Sequence, residues 1–139
     1  MIEIARETNE NGIFQKDIAV RQDLSIKYLD QIIAALKTAE LITNVKGKKS
    51  GYILTKPAKE ITLFDIYTAF VPTPLLADCL NPNYRCEKEA NCAVKPFYAG
   101  LNNLIIDYLN SFTLHQLLHK QVDLEEAQNM SFVTDSNCS

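Results

Sequence analysis

Apolar residues recur along this chain at spacings that name its secondary structure. From Ile26 to Leu36 the positions Ile26, Leu29, Ile32, Ile33 and Leu36 return every three or four residues, which lays one apolar stripe along an α-helix. Lys27, Tyr28, Asp30, Gln31 and Lys37 take the opposite side. Ser25 precedes the stripe, and its hydroxyl can accept a hydrogen bond from an unpaired first-turn amide, so the helix is predicted to begin at Ile26. A shorter helix is predicted over 15–22 with Ile18 and Ala19 inward, and Asp23-Leu24-Ser25 connects the two. A short helix, a tight turn and a longer helix with a polar outer face is the helix-turn-helix layout.

The pattern then changes. Leu41 to Val45 reads as a strand, Lys46-Gly47-Lys48-Lys49-Ser50-Gly51 as a turn and Tyr52 to Leu54 as the returning strand, with two glycines that permit tight backbone turns around the lysines. A basic hairpin directly after a candidate recognition helix makes a winged helix-turn-helix. Leu63 to Val71 is predicted to be helical, capped by Thr62, with Leu63, Ile66, Tyr67 and Phe70 on its apolar side, and Pro72 and Pro74 stop it. Residues 75–96 should be irregular. From Phe97 to about Phe112, Leu101, Leu104, Ile105, Tyr108 and Leu109 form a second strong stripe, which Leu114, Leu117 and Leu118 continue after a break at 111–113.

At the N-terminus, Ile2, Ile4 and Ala5 read as the end of a helix whose beginning is missing or very short; the tail after Val122 turns polar and acidic and should fray. The expected fold class is therefore mainly α with a small β-hairpin: a winged helix-turn-helix domain over 1–71, a cysteine-bearing loop over 72–96, a dimerisation helix over 97–122 and a flexible tail over 123–139. The stripe of that last helix packs most simply on its twin, giving a homodimer; burial within one protomer is the competing arrangement.

With 139 residues, 47% of them hydrophobic, the chain has material for one compact domain with an appendage. No apolar run approaches the roughly 18 residues of a membrane span and no secretory leader is visible, so a cytoplasmic protein without membrane contact is expected. The net charge of −3 argues against indiscriminate nucleic-acid binding, yet it hides an asymmetry. Residues 1–60 carry ten Lys and Arg against eight Asp and Glu, whereas residues 61–139 carry four against nine. Six lysines and one acid lie between Lys37 and Lys59, where a phosphate-facing patch can form. In a helix-turn-helix the N-terminal part of the second helix enters the major groove, which singles out Ser25, Lys27, Tyr28 and Gln31. Gln31 suits an adenine edge and Lys27 a guanine or a phosphate. Tyr28 has a competing role in packing on the preceding helix. Lys46, Lys48 and Lys49 would run along the backbone of double-stranded DNA, adding affinity more than sequence choice.

Cys79, Cys86 and Cys92 fall within fourteen residues, separated by six and then five others. That is too wide for the paired knuckles of a zinc ribbon and close enough for one loop to wrap an inorganic centre. In a reducing compartment such thiols are metal ligands or redox sensors, and soft thiolates suit iron-sulfur clusters, zinc or copper(I). Cys138 lies apart in the tail, and His115 and His119 have no flanking carboxylate motif. No nucleophile–base pair, phosphate loop or paired catalytic carboxylates can be picked out, so an enzyme is not expected.

The chain resembles the IscR/NsrR type of bacterial transcription regulator from about Met1 to Leu118. The resemblance rests on the run Leu24-Ser25-Ile26-Lys27-Tyr28-Leu29-Asp30-Gln31, on Leu36 to Ile42, on the wing from Val45 to Tyr52, on Ile61-Thr62-Leu63-Phe64-Asp65-Ile66, on the three cysteines and on Phe112 to Leu118, all in the family's order. It implies a homodimer on a partly palindromic DNA operator, with an iron-sulfur cluster (2Fe-2S, or 4Fe-4S) on Cys79, Cys86 and Cys92. The function expected is that of a DNA-binding transcriptional regulator, a repressor, modulated by the cluster or by the redox state of the three-cysteine loop. The alternative is a metal or scaffold protein that keeps the winged fold for protein contacts.

Departures from the family pattern bear on each part. The start of the first helix is missing, as in a truncated chain or one begun at an internal methionine. Lys46 stands where the wing usually has arginine, and Lys48, Lys49 and Ser50 where it is richer in glycine. Glu40 replaces a glycine that would favour a left-handed turn, at about 1 kcal/mol of local strain. Lys95 takes the place of the histidine that follows the last cysteine in IscR-like proteins. Relatives that ligate through a carboxylate take it from the first helix of the other subunit, the segment this chain lacks.

Overall fold

The computed structural model describes residues 1–7, 9–47 and 50–119. Helix α1 (Ile2–Arg6) is followed by α2 (Gln15–Gln22) and α3 (Ile26–Thr38). The turn between α2 and α3 is made by Asp23, which adopts a left-handed conformation at φ 51°, while the Leu24 amide reaches back to the Ala19 carbonyl at 3.0 Å. Ser25 then caps α3, its hydroxyl accepting from the Tyr28 amide at 3.2 Å. Leu29, Ile33 and Leu36 are buried as the stripe requires, but Ile26 is 48% exposed.

Helix α3 ends in a Schellman turn. Glu40 sits at φ 56°, its amide donates to the Lys37 carbonyl, and the Leu41 amide donates to the Leu36 carbonyl, both at 3.0 Å. The reversal buries Leu41 and delivers the chain into β1 (Ile42–Asn44), which pairs antiparallel with β2 (Tyr52–Leu54), Ile42 opposite Leu54 and Asn44 opposite Tyr52. Residues 11–13 add a third edge: the Gly51 amide donates to the Asn11 carbonyl at 2.8 Å, and Ile13 and Tyr52 exchange both backbone hydrogen bonds. The backbones touch here because Gly12 and Gly51 lack side chains; a Cβ on Gly51 would lie 2.5 Å from the Gly12 carbonyl carbon.

Helix α4 (Leu63–Thr68) starts in a full capping box, in which the Asp65 amide donates to Thr62 Oγ1 and the Thr62 amide to Asp65 Oδ2, each at 3.0 Å. The expected helix to Val71 is shorter in fact: residues 69–71 form a closing turn before Pro72, and Tyr67 and Phe70 are more exposed than an apolar face implies. Helix α5 (Val94–Ser111) begins three residues earlier than expected. Pro96 does not exclude it, because a proline in the first turn gives up an amide that has no partner within the helix.

The larger revision concerns the C-terminal run. Helix α6 (Leu114–Leu118) has its own capping box on Thr113 and Gln116 and is a separate element, not a continuation of α5. The Leu114 amide donates to the Ile61 carbonyl at 2.8 Å and the Leu63 amide to the Phe112 carbonyl at 2.9 Å. Leu114 and Ile61 are both wholly buried, in one core with Ile4, Ile13, Ile18, Leu29, Ile33, Leu36, Leu41 and Ile42. The segment expected to end a dimerisation helix therefore completes the core of the winged domain. No helix among the described residues is long and apolar enough to cross a membrane.

Candidate nucleic-acid interface and thiol loop

Ser25, Lys27, Tyr28 and Gln31 share the first two turns of α3, all exposed. Tyr28 is 55% exposed, so its ring is not packed away on the preceding helix. The Ser25 hydroxyl accepts from the Tyr28 amide in capping, which anchors the helix start and leaves its O–H free to donate. Two contacts tie this helix to the hairpin. Gln15 on α2 donates from Nε2 to Asp30 Oδ1 at 2.5 Å and accepts at Oε1 from the Tyr52 hydroxyl at 3.5 Å. Lys37 Nζ donates to Asn44 Oδ1 at 2.7 Å and stands 5.9 Å from the centre of the Tyr52 ring. Asn44 and Tyr52 face each other at the end of the ladder that leads into the turn, so the polar side of α3 and the wing are joined. Lys46 is exposed on that turn beside Gly47 (φ 137°); Lys48 and Lys49 lie outside the described residues. Sequence reasoning missed Gln15, Asp30 and Asn44, since an exposed polar residue carries no mark of its partner.

Helix α5 has two unlike sides. Asn102, Ile106 and Leu109 are buried or half-buried and turn toward α4. Phe97, Leu101, Leu104, Ile105 and Tyr108 are exposed, Leu104 at 53%. The stripe that sequence reading assigned to self-association is thus left uncovered by the other described residues.

The loop between α4 and α5 is irregular except for two single turns of 3-10 helix, Asp78–Leu80 and Glu89–Asn91. Cys79 lies within the first, Cys92 directly follows the second and Cys86 falls between; all three are free thiols and half-buried. Lys95 pairs with Glu89. The hydrogen bond and charge of Glu89 hold the Lys95 ammonium above the usual lysine range, and Cys79 and Cys86 act on it in the same direction. The loop entrance is fixed by Asn102, whose Oδ1 accepts from the Leu76 amide at 3.0 Å. Elsewhere, the His115 and His119 rings lie 4.3 Å apart on α6. Burial, His119 and Lys59 all push the His115 imidazole down.

A family model described as "Rrf2: Iron-dependent Transcriptional regulator" matches residues 1–120. The chain belongs to the Rrf2 family. Protein rrf2 of Nitratidesulfovibrio vulgaris is 31% identical over 118 residues, covering 85% of this chain and 79% of the relative. Among solved structures, CymR, the global cysteine regulator of B. subtilis, superposes with a TM-score of 0.66 at 25% identity, covering 86% of this chain and 87% of its own. IscR of T. potens superposes with a TM-score of 0.62 at 27% identity, covering 96% and 83%. Rrf2 proteins are transcriptional regulators, which carries the DNA-binding reading and neither an enzyme nor the scaffold alternative.

The family description raises iron. The thiols of Cys79, Cys86 and Cys92 are the right donors for an iron-sulfur cluster, but a cluster needs them to converge. Among the described residues no three His, Cys, Asp or Glu side chains come together as a ligand set. Glu89, one local carboxylate, is engaged by Lys95. As folded here, the loop does not fit the cluster that the resemblance implies.

Proposed function

We propose that this regulator binds a partly palindromic operator as a homodimer, chiefly as a repressor, and that the loop carrying Cys79, Cys86 and Cys92 sets its affinity. The observation that carries the reading is the union of the polar side of α3 with the wing, through Gln15 at Asp30 near its start and through Lys37 at its end. Gln31 reads a base edge, Lys27 and Tyr28 contact the neighbouring base or phosphate, and Lys46, with Lys48 and Lys49, follows the backbone. The uncovered stripe of α5 pairs two copies, placing two α3 helices on half-sites one helical turn, about 34 Å, or a multiple apart. The regulatory input enters through the thiols; an iron-sulfur cluster would demand a different arrangement of the loop.

The test uses a duplex that the protein selects from a random-sequence pool, compared with an unselected duplex. Gln31→Ala should weaken the selected duplex by about ten-fold or more, the value of one good base contact, and leave the unselected duplex unchanged. Lys46→Ala should weaken both alike and lower the salt slope by about one. Equal losses on both duplexes for Gln31→Ala would remove its reading role. Leu104→Asp should give monomers in sedimentation; a dimer that survives it lies elsewhere. Iron and acid-labile sulfide in oxygen-free protein, with visible absorption, would show that the loop takes the cluster arrangement.

A further inference from the structure

We infer that Asn102 is the positioning residue through which the thiol loop acts on the pairing helix, a role that rests on the regulatory reading above. Asn102 is the one buried polar residue among the described residues, 6% exposed. An amide at such a place costs desolvation unless it is bonded, so its carboxamide is there for a partner. That partner is the backbone amide of Leu76, at 3.0 Å. The Leu76 side chain is 44% exposed, so apolar packing holds this point of the loop weakly and the hydrogen bond is its fixed attachment.

The bond joins two regions that the chemistry must couple. Leu76 lies three residues before Cys79, which sits in the 3-10 turn that also packs on α5. On the helix, Asn102 directly follows Leu101 and precedes Leu104 and Ile105, three members of the exposed stripe. A change at the thiols that draws the loop away leaves the Asn102 oxygen buried with no donor. Turning or shifting the helix relieves this, and its other face carries that displacement to the twin subunit. A directional bond between a side chain and the backbone is either made or broken, the two states that a switch requires, and the packing of the 3-10 turn on α5 adds to it.

The experiment uses full-length protein carrying Cys138→Ser, so that iodoacetamide reaches the loop thiols alone, and measures the Kd for the selected duplex before and after alkylation. The parent should shift by about five-fold or more, the lower end of ordinary allosteric coupling. Asn102→Leu keeps the helix and removes the acceptor; Leu76→Pro removes the donor from an exposed loop position without touching the helix. Both should shift by less than about two-fold on alkylation: Asn102→Leu with its unalkylated Kd unchanged and the α5 amides still protected from hydrogen exchange, and Leu76→Pro, which leaves the Asn102 oxygen without its donor, with a Kd already moved toward that of the alkylated parent. If the parent shifts and both variants shift equally, the role of Asn102 is overturned and the regulatory reading stands. If the parent does not respond, both fall. If Asn102→Leu has lost operator affinity before alkylation, Asn102 supports the fold at large and the inference is wrong; if unalkylated Leu76→Pro keeps the parent's Kd, the bond is no switch and the inference is wrong likewise.

Discussion

The Leu114 amide donates to the Ile61 carbonyl at 2.8 Å, and neither side chain retains any exposed surface. This stitch brings α6 onto α1 and the turn at Ala58–Glu60, more than fifty residues earlier in the chain. The winged domain therefore does not end at residue 71. Leu114→Ala should destabilise the protein by about 2–5 kcal/mol, the range for truncating a buried leucine, and residues 1–71 alone should show no cooperative unfolding. Chemical denaturation of the two checks both.

Glu40 holds a backbone angle that suits glycine, and the turn around it is fully bonded, with the Thr55 hydroxyl donating to its carbonyl. Glu40→Gly should raise stability by about 1 kcal/mol, or about 3–6 °C in Tm for a domain of this size. Calorimetry at fixed pH reads it. A fall in Tm would mean that the glutamate side chain contributes more than the backbone loses.

Gly51→Ala should act in the opposite direction. Its Cβ would press within 2.5 Å of the Gly12 backbone, and no flexible side chain is there to yield. A loss of about 1–3 kcal/mol is expected, as for other overpacked sites. Since the displaced strand leads from the wing, operator affinity should fall with it, on selected and unselected duplexes alike.

Acid should weaken the α4 cap. Burial disfavours the charged form of Asp65, but the Thr62 amide and the Lys56 ammonium outweigh it, and the net displacement is downward. A depressed carboxyl contributes stability above its unfolded pKa of about 3.9 and loses that contribution as pH falls through the lower folded value. Asp65→Asn should thus be less stable than the parent at neutral pH, with the gap closing toward pH 3. Urea midpoints across pH 3–7 would show it, and a gap constant with pH would assign the effect to shape instead of charge.

Periodicity and caps were enough to place the winged domain. The Ser25 cap, the 15–22 helix and the return strand at Tyr52 follow from local chemistry, and the structure keeps them. The left-handed angle at Glu40 was readable only through the resemblance, in which a glycine holds that place, because glutamate itself does not signal it. What failed was anything decided by remote partners. Leu114, Leu117 and Leu118 have helical spacing whichever core they enter, and only the pairing with Ile61 sends α6 back to α1. The start of α5 at Val94 escaped because proline forbids a helix interior and not its first turn. At the site, the exposed face of α3 was legible from its polar side, whereas the Gln15 bridge was not. The three cysteines are close in sequence, yet they lie on an irregular backbone with two 3-10 turns, and among the described residues no three ligand-type side chains come together.

Gln15 uses both ends of one carboxamide, giving to Asp30 and receiving from Tyr52. In the proposed operator complex a ribbon that swings to follow a narrow or bent duplex pulls on the helix through that same carboxamide. DNA curvature beneath the wing would thereby be felt at the bases assigned to Gln31, and flanking sequence that stiffens or bends the site should alter affinity at positions no side chain touches.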